Sequence, residues 1–184
     1  MAIVAFLRAV NVGGKSLRTK QLADELGIIN VAAAGTFVAL EATSGALLAA
    51  AIRKKLPFET EVLAFPGAAV LRLLEESPFA TLRPTDAQRF VSFLAGKPPS
   101  SSLPLDRPEG KGWEVRVVAV IGRCALSLRR PGGPGGLYPN AVVERELGVP
   151  ATTRGWATLE AVGKILRDGG TGRVTGRPRR ARSG

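Results

Sequence analysis

Residues 113–130 read W-E-V-R-V-V-A-V-I-G-R-C-A-L-S-L-R-R, from Trp113 to Arg130, and their spacing sets the fold class. Trp113, Val115, Val117, Ala119 and Ile121 alternate with Glu114, Arg116, Val118 and Val120, the period of a strand with one buried face. Gly122-Arg123 then turns the chain into C-A-L-S-L-R-R. A two-residue connection is too short for a crossover, so the two runs form an antiparallel hairpin. Upstream, a strand is expected from Arg89 to Ala95. Residues 96–112 hold Pro98, Pro99, Pro104 and Pro108, and are expected to form a loop with at most one short helical turn. Downstream, the glycine-rich segment Pro131–Leu137 reads as flexible. A helix from Pro139 to Leu147 follows, stopped by Gly148, and then a short strand from Ala151 to Arg154. Trp156, Leu159, Val162 and Leu166 have helical spacing in a last helix over 156–167.

The first half has approximately this order, with a helix where the second half has the proline-rich crossover, and the repeat is one of elements, not of residues. Residues 3–10, I-V-A-F-L-R-A-V, read as a central strand with both faces covered, in which Val4, Phe6 and Arg8 share one face. A loop from Asn11 to Lys15 leads to a helix over 19–26 and its stop at Gly27. Residues 31–40 read as a hairpin broken near Gly35. A helix over 45–56, introduced by Thr43 or Ser44 and stopped by Pro57, precedes a strand at 61–65. Strand, helix, hairpin, helix, strand is the ferredoxin-like order, and a helix over 66–76 leads out of it. The expected fold is α+β: a two-lobed, duplicated ferredoxin-like arrangement with helices packed on mostly antiparallel sheets. One continuous sheet is the competing arrangement. The expected divisions are 1–80 for the first subdomain with its linking helix, 86–167 for the second, and 168–184 for a disordered basic tail.

Composition removes several mechanisms. The chain has 184 residues, is 45% hydrophobic and only 5% aromatic, so its core is expected to be aliphatic. It has no histidine, which excludes a histidine-based triad and histidine-ligated zinc or haem. Its one cysteine, Cys124, excludes an intrachain disulfide and reads as a small buried hydrophobe. The formal charge of +11 attracts polyanions, yet Arg173, Arg177, Arg179, Arg180 and Arg182 supply nearly half of it from the tail. The N-terminal stretch M-A-I-V-A-F-L-R-A-V is too short for a membrane span and lacks a positively charged leader. A cytoplasmic protein with no membrane partner is the expectation; the sequence assigns no oligomeric state.

Two stretches carry the candidate chemistry. Residues 8–15, R-A-V-N-V-G-G-K, are too short for a P-loop and lack the dinucleotide-binding glycine pattern. They still offer Arg8, Asn11, the exposed amides of Gly13 and Gly14, and Lys15 as contacts for a carboxylate or phosphate. Residues 152–156, T-T-R-G-W, place Arg154 at a helix start, with Thr153 or Gly155 beginning the helix and Trp156 packing beneath it. In both stretches the plain alternative is a turn or cap with solvated charges. Asp24-Glu25, Glu75-Glu76 and Glu144/Glu146 do not share helix faces, so they form no carboxylate pair. No cofactor motif and no metal-ligand set is present in the sequence. For nucleic acid, the body offers Arg53, Lys54, Lys55, Arg129 and Arg130 besides Arg8, Lys15 and Arg154, but few aromatics for stacking.

Together the two stretches resemble the domain-of-unknown-function family numbered 1697, from the first strand to about Arg167. That family resembles R-G-I-N-V-G-G at its first motif, matched by Arg8, Asn11, Val12, Gly13 and Gly14 with Ala9 and Val10 substituted. Its T-T-R-N-W-type segment is matched by Thr152, Thr153, Arg154 and Trp156, with Gly155 in place of asparagine. Where the family resembles T-Y-I-Q-S-G-N-V, this chain has A-A-A-G-T-F-V, retaining Gly35 but not the tyrosine, serine or asparagine side chains. At Tyr138, Pro139-Asn140 replaces a serine–lysine pair. The resemblance implies the duplicated α+β architecture and no activity. The favoured function is a binding protein whose basic groove (Arg8, Asn11, Gly13, Gly14, Lys15, Thr153, Arg154 and Trp156) takes an anionic or phosphate-bearing small molecule. A small enzyme acting on a phosphorylated or nucleotide-like substrate is the alternative. A nucleic-acid-binding or interaction protein is the third reading, with weak nonspecific affinity from the arginine-rich tail.

Overall fold

A computed structural model of the chain describes residues 1–8, 19–31, 35–77, 79, 81 and 86–171. Strand β1 (Ile3–Leu7) is followed by α1 (Thr19–Leu26), β2 (Ile29–Asn30), β3 (Thr36–Ala39), α2 (Gly45–Lys55), β4 (Val62–Pro66) and α3 (Gly67–Glu76). The second half contains β5 (Gln88–Leu94), β6 (Leu105–Arg107), β7 (Val115–Ile121), β8 (Cys124–Arg129), α4 (Pro139–Leu147), β9 (Ala151–Gly155) and α5 (Trp156–Thr171).

The strands form two separate antiparallel sheets, ordered β2-β3-β1-β4 and β6-β7-β8-β5-β9. Without β6, the second order repeats the first strand for strand, so the duplication of element order is also a duplication of topology. Local chemistry sets the boundaries. Ser44 Oγ accepts the Leu47 amide at 3.2 Å and caps α2. Pro139 opens α4, and Gly148 closes it in the left-handed conformation, at φ 64°.

Each sheet buries both faces, as the apolar runs require. In β1, Ile3, Ala5 and Leu7 face outward onto α1 and α2, where they pack with Leu22, Leu48 and Ile52. Val4 and Phe6 face inward. They join Val91 and Phe93 of the second sheet and Leu159, Val162 and Leu166 of α5 in one central core. Phe6 and Phe93 stack with ring centroids 3.8 Å apart, and Phe65 meets both edge-on. The outer face of the second sheet packs Leu94, Val115, Val117 and Ala125 against Val142, Val143 and Leu147 of α4. The strands thus divide between the halves, while the central core is shared.

Three local expectations are corrected, and the glycine-rich segment gains a specific contact. Residues 96–112 contain strand β6 rather than only loop, because Asp106 pairs with Arg116 of β7 at 2.6 Å and Arg107 pairs with Glu146 of α4. The alternation of β7 does not run through: a bulge between Val117 and Ala119 shifts its register. Val115, Val117 and Val120 therefore pack under α4, while Val118, Ala119 and Ile121 pack on the central core. The segment Pro131–Leu137 is shaped by Glu114, whose carboxylate accepts the amides of Gly135 at 2.7 Å and Leu137 at 3.0 Å. Finally, α5 continues past Arg167 to Thr171; residues 172–184 lie outside the described residues.

Candidate functional site

The two arginines singled out in the sequence meet at the seam between the sheets. Arg8 follows the end of β1 and reaches across to the second sheet. Its Nε donates to Ala151 O at 3.3 Å, and its Nη2 to Glu144 Oε1 at 2.8 Å. Glu144 Oε1 also accepts the Ala151 amide at 2.7 Å, so α4, β9 and Arg8 share one carboxylate oxygen. The other end of the guanidinium is looser: Nη1 lies 3.7 Å from Glu61 Oε2, and the Arg8 side chain is 36% exposed.

Arg154 reaches the opposite way, from β9 into the first sheet. Its Nε donates to Thr36 Oγ1 at 2.8 Å, and its Nη2 to Leu7 O at 2.8 Å and Gly35 O at 3.2 Å. Its Nη1 donates to Thr152 Oγ1 at 2.8 Å and Thr153 O at 2.9 Å. All five N–H groups of the guanidinium are therefore engaged, none by a carboxylate. The side chain is buried, with its guanidinium 5.7 Å from the Phe6 ring centroid. Burial pushes its pKa down to about 10, which still leaves it cationic at neutral pH.

The remaining candidates are distributed around this seam. Thr153 Oγ1 donates to Asn140 Oδ1 at 3.0 Å and lies 2.6 Å from Ser92 Oγ, tying β9 to α4 and β5. Trp156 is buried in the central core with its ring edge-on to Phe79, at 5.0 Å. Asn11, Gly13, Gly14 and Lys15 lie outside the described residues. Cys124 is buried, and desolvation pushes its thiol up to about 12, which makes it a poor nucleophile at neutral pH.

An open groove of about 860 Å³ reaches Thr60 and Glu61, the two residues bonded to the Arg8 backbone. Arg53 and Lys54 from the last turn of α2 line it, with the apolar turn Leu56–Phe58 and the approach to β4 at Glu59, Thr60 and Glu61. Arg8 is fastened to that approach: its amide donates to Glu61 O at 3.0 Å, and its carbonyl accepts the Thr60 hydroxyl. Thr36, Glu144 and the groove residues were not identified from the sequence as parts of a site. Their partners are remote in the chain, and only Arg53 and Lys54 stood out, as members of a basic run. Among the described residues, no group of three His, Cys, Asp or Glu side chains is placed to hold a metal ion. Nor is any helix among them long and apolar enough to cross a membrane.

Two antiparallel sheets sharing a core, with arginines exchanged across their seam, define an α+β protein of duplicated topology. The chain belongs to a family of proteins of unknown function, DUF1697, whose model matches residues 1–124. Among solved structures, it is similar to the conserved bacterial protein SP0830 from Streptococcus pneumoniae. The TM-score is 0.55 at 17% identity, covering 90% of this chain and 98% of that one, a likeness of fold. No curated protein sequence matches it.

Proposed function

We propose that this chain is a binding protein for an anionic, phosphate-bearing small molecule, held beside Arg8 in the groove where α2 turns into β4. The observation that carries this reading is the position of Arg8. Its Nε and Nη2 are anchored to the second sheet, and its Nη1 lies 3.7 Å from Glu61 Oε2, a carboxylate that lines the groove together with Arg53 and Lys54. A guanidinium held in one orientation loses little freedom on meeting a phosphate or carboxylate. The apolar turn Leu56–Phe58 offers a surface for the uncharged part of such a ligand. Arg154 contributes from behind: with every donor engaged it supports the site rather than contacting the ligand.

A thermal-shift screen with nucleotides, phosphosugars and short RNA and DNA tests this, run on the full chain and on a form ending at Thr171. A ligand at one hundred times its Kd stabilises the fold by about 2.7 kcal/mol. The expected result is stabilisation by phosphate-bearing small molecules in both forms, lost in Arg8→Ala and weakened in Lys54→Ala. A response confined to RNA or DNA and lost with residues 172–184 would assign the binding to the basic tail and defeat the proposal.

A further inference from the structure

We infer that Arg154 is a positioning residue for the site at Arg8: a cation of the second sheet that fixes two points of the first, Leu7 at the end of β1 and Gly35 just before β3. This inference rests on the binding reading above, and its own physical content is the placement of those two points. Leu7 is the last residue of β1 before Arg8, and Gly35 is the residue before β3. The Nη2 group of Arg154 binds both carbonyls, at 2.8 and 3.2 Å, and its Nε binds the neighbouring Thr36 hydroxyl. The same two points are bonded to each other, because the Leu7 amide donates to Gly35 O at 2.8 Å; beside them the Val31 amide donates to Thr36 O at 2.8 Å. Thr152 Oγ1 donates to Leu7 O at 3.0 Å while accepting from Arg154.

The residue type supports the assignment. A buried cation facing only neutral acceptors retains its desolvation cost, so packing alone does not account for an arginine here. What arginine supplies is a rigid plane of five donors reaching acceptors from three strands at once. Lysine has three donors about a single nitrogen and leaves some of those acceptors without a partner. Because Arg8 follows Leu7 directly, moving the Leu7 carbonyl re-aims Arg8 without touching anything bound to it.

Residue-resolved amide hydrogen exchange on the full chain, paired with calorimetric titration of inorganic pyrophosphate, tests the inference. In Arg154→Lys, the Leu7 and Val31 amides are expected to exchange about tenfold faster, while the β7–β8 hairpin keeps its protection. Pyrophosphate is expected to bind about tenfold more weakly, although Arg8, Arg53 and Lys54 are intact. Thr36→Val removes only the Nε acceptor and is expected to loosen the same two amides to a smaller degree, which decides the matter if Arg154→Lys does not fold. Unchanged protection at Leu7 and Val31, or exchange rising equally in the β7–β8 hairpin, overturns the inference. So does wild-type pyrophosphate affinity in a variant with loosened amides. If the unaltered chain binds no pyrophosphate, the binding reading fails for that ligand, and amide exchange alone decides what Arg154 positions.

Discussion

Glu114 and Arg154 are both buried charged residues, and each is held by backbone groups more than by opposite charge. Glu114 occupies a position that strict alternation assigns to solvent. Its carboxylate instead replaces the side chains that Gly133 and Gly135 lack: a Cβ on Gly133 would lie 2.2 Å from Glu114 Cδ. The amides of Leu137 and Gly135 hold its pKa below the ordinary carboxylate value. A carboxyl depressed in the folded state contributes stability that is complete above its unfolded value and lost as the pH falls through the folded one. The Gly135 and Leu137 amides are therefore expected to stay protected through the ordinary carboxylate range and to open only below it, as measured by hydrogen exchange against pH. Glu114→Gln opens them at neutral pH, because one acceptor oxygen becomes a donor facing another N–H. For Arg154→Met, chemical denaturation is expected to show a loss of about 3 kcal/mol, since three carbonyls and two hydroxyls lose their donor. Both arginines were legible as charged residues at element ends. Their partners were not: Thr36 and Leu7 lie 118 and 147 positions from Arg154.

Among the elements, the helices and the longer strands follow local rules that can be read along the chain. Ser44, Pro57, Pro139 and Gly148 mark ends that the structure retains to within a residue or two. Strand β6 was missed because it is specified by ion pairs, Asp106–Arg116 and Arg107–Glu146, rather than by apolar periodicity. The bulge in β7 was missed for a related reason: all residues from Val117 to Ile121 are apolar, so the sequence holds no mark of where the pleat changes phase. Close packing at the start of α3 leaves a measurable trace. A Cβ on Gly67 would lie 2.9 Å from Leu166 Cδ2 and 3.1 Å from the Ala2 carbonyl oxygen. The backbone oxygen cannot move aside as a side chain does, so Gly67→Ala is expected to destabilise the protein by about 1–3 kcal/mol in denaturant titration.

At the scale of the whole molecule, the shared core is expected to make the two sheets unfold as one cooperative unit. Phe6 of β1 and Phe93 of β5 stack at its centre, and Trp156, Leu159 and Val162 complete it. Phe93→Ala is expected to cost about 3–5 kcal/mol. It is also expected to lower the protection of β1 and β5 amides together, because neither sheet keeps a covered inner face without the other. Loss of protection confined to the second sheet would show that the halves unfold independently. The clasps of Arg8 and Arg154 lie at the border of this core, where each sheet supplies the donors for the other's carbonyls.

The amino-acid sequence by itself determined the fold class, the antiparallel hairpins, the repeated element order and the absence of histidine chemistry, because periodicity, turn residues and composition act over a few neighbouring positions. Only the tertiary structure decided that the sheets share one core, that Arg154 is consumed by Leu7, Gly35 and Thr36, and that Arg8 is held between Glu144, Ala151 and Glu61. Those outcomes depend on which buried donor meets which buried acceptor across the chain, and desolvation makes that matching compulsory without leaving a local mark of it.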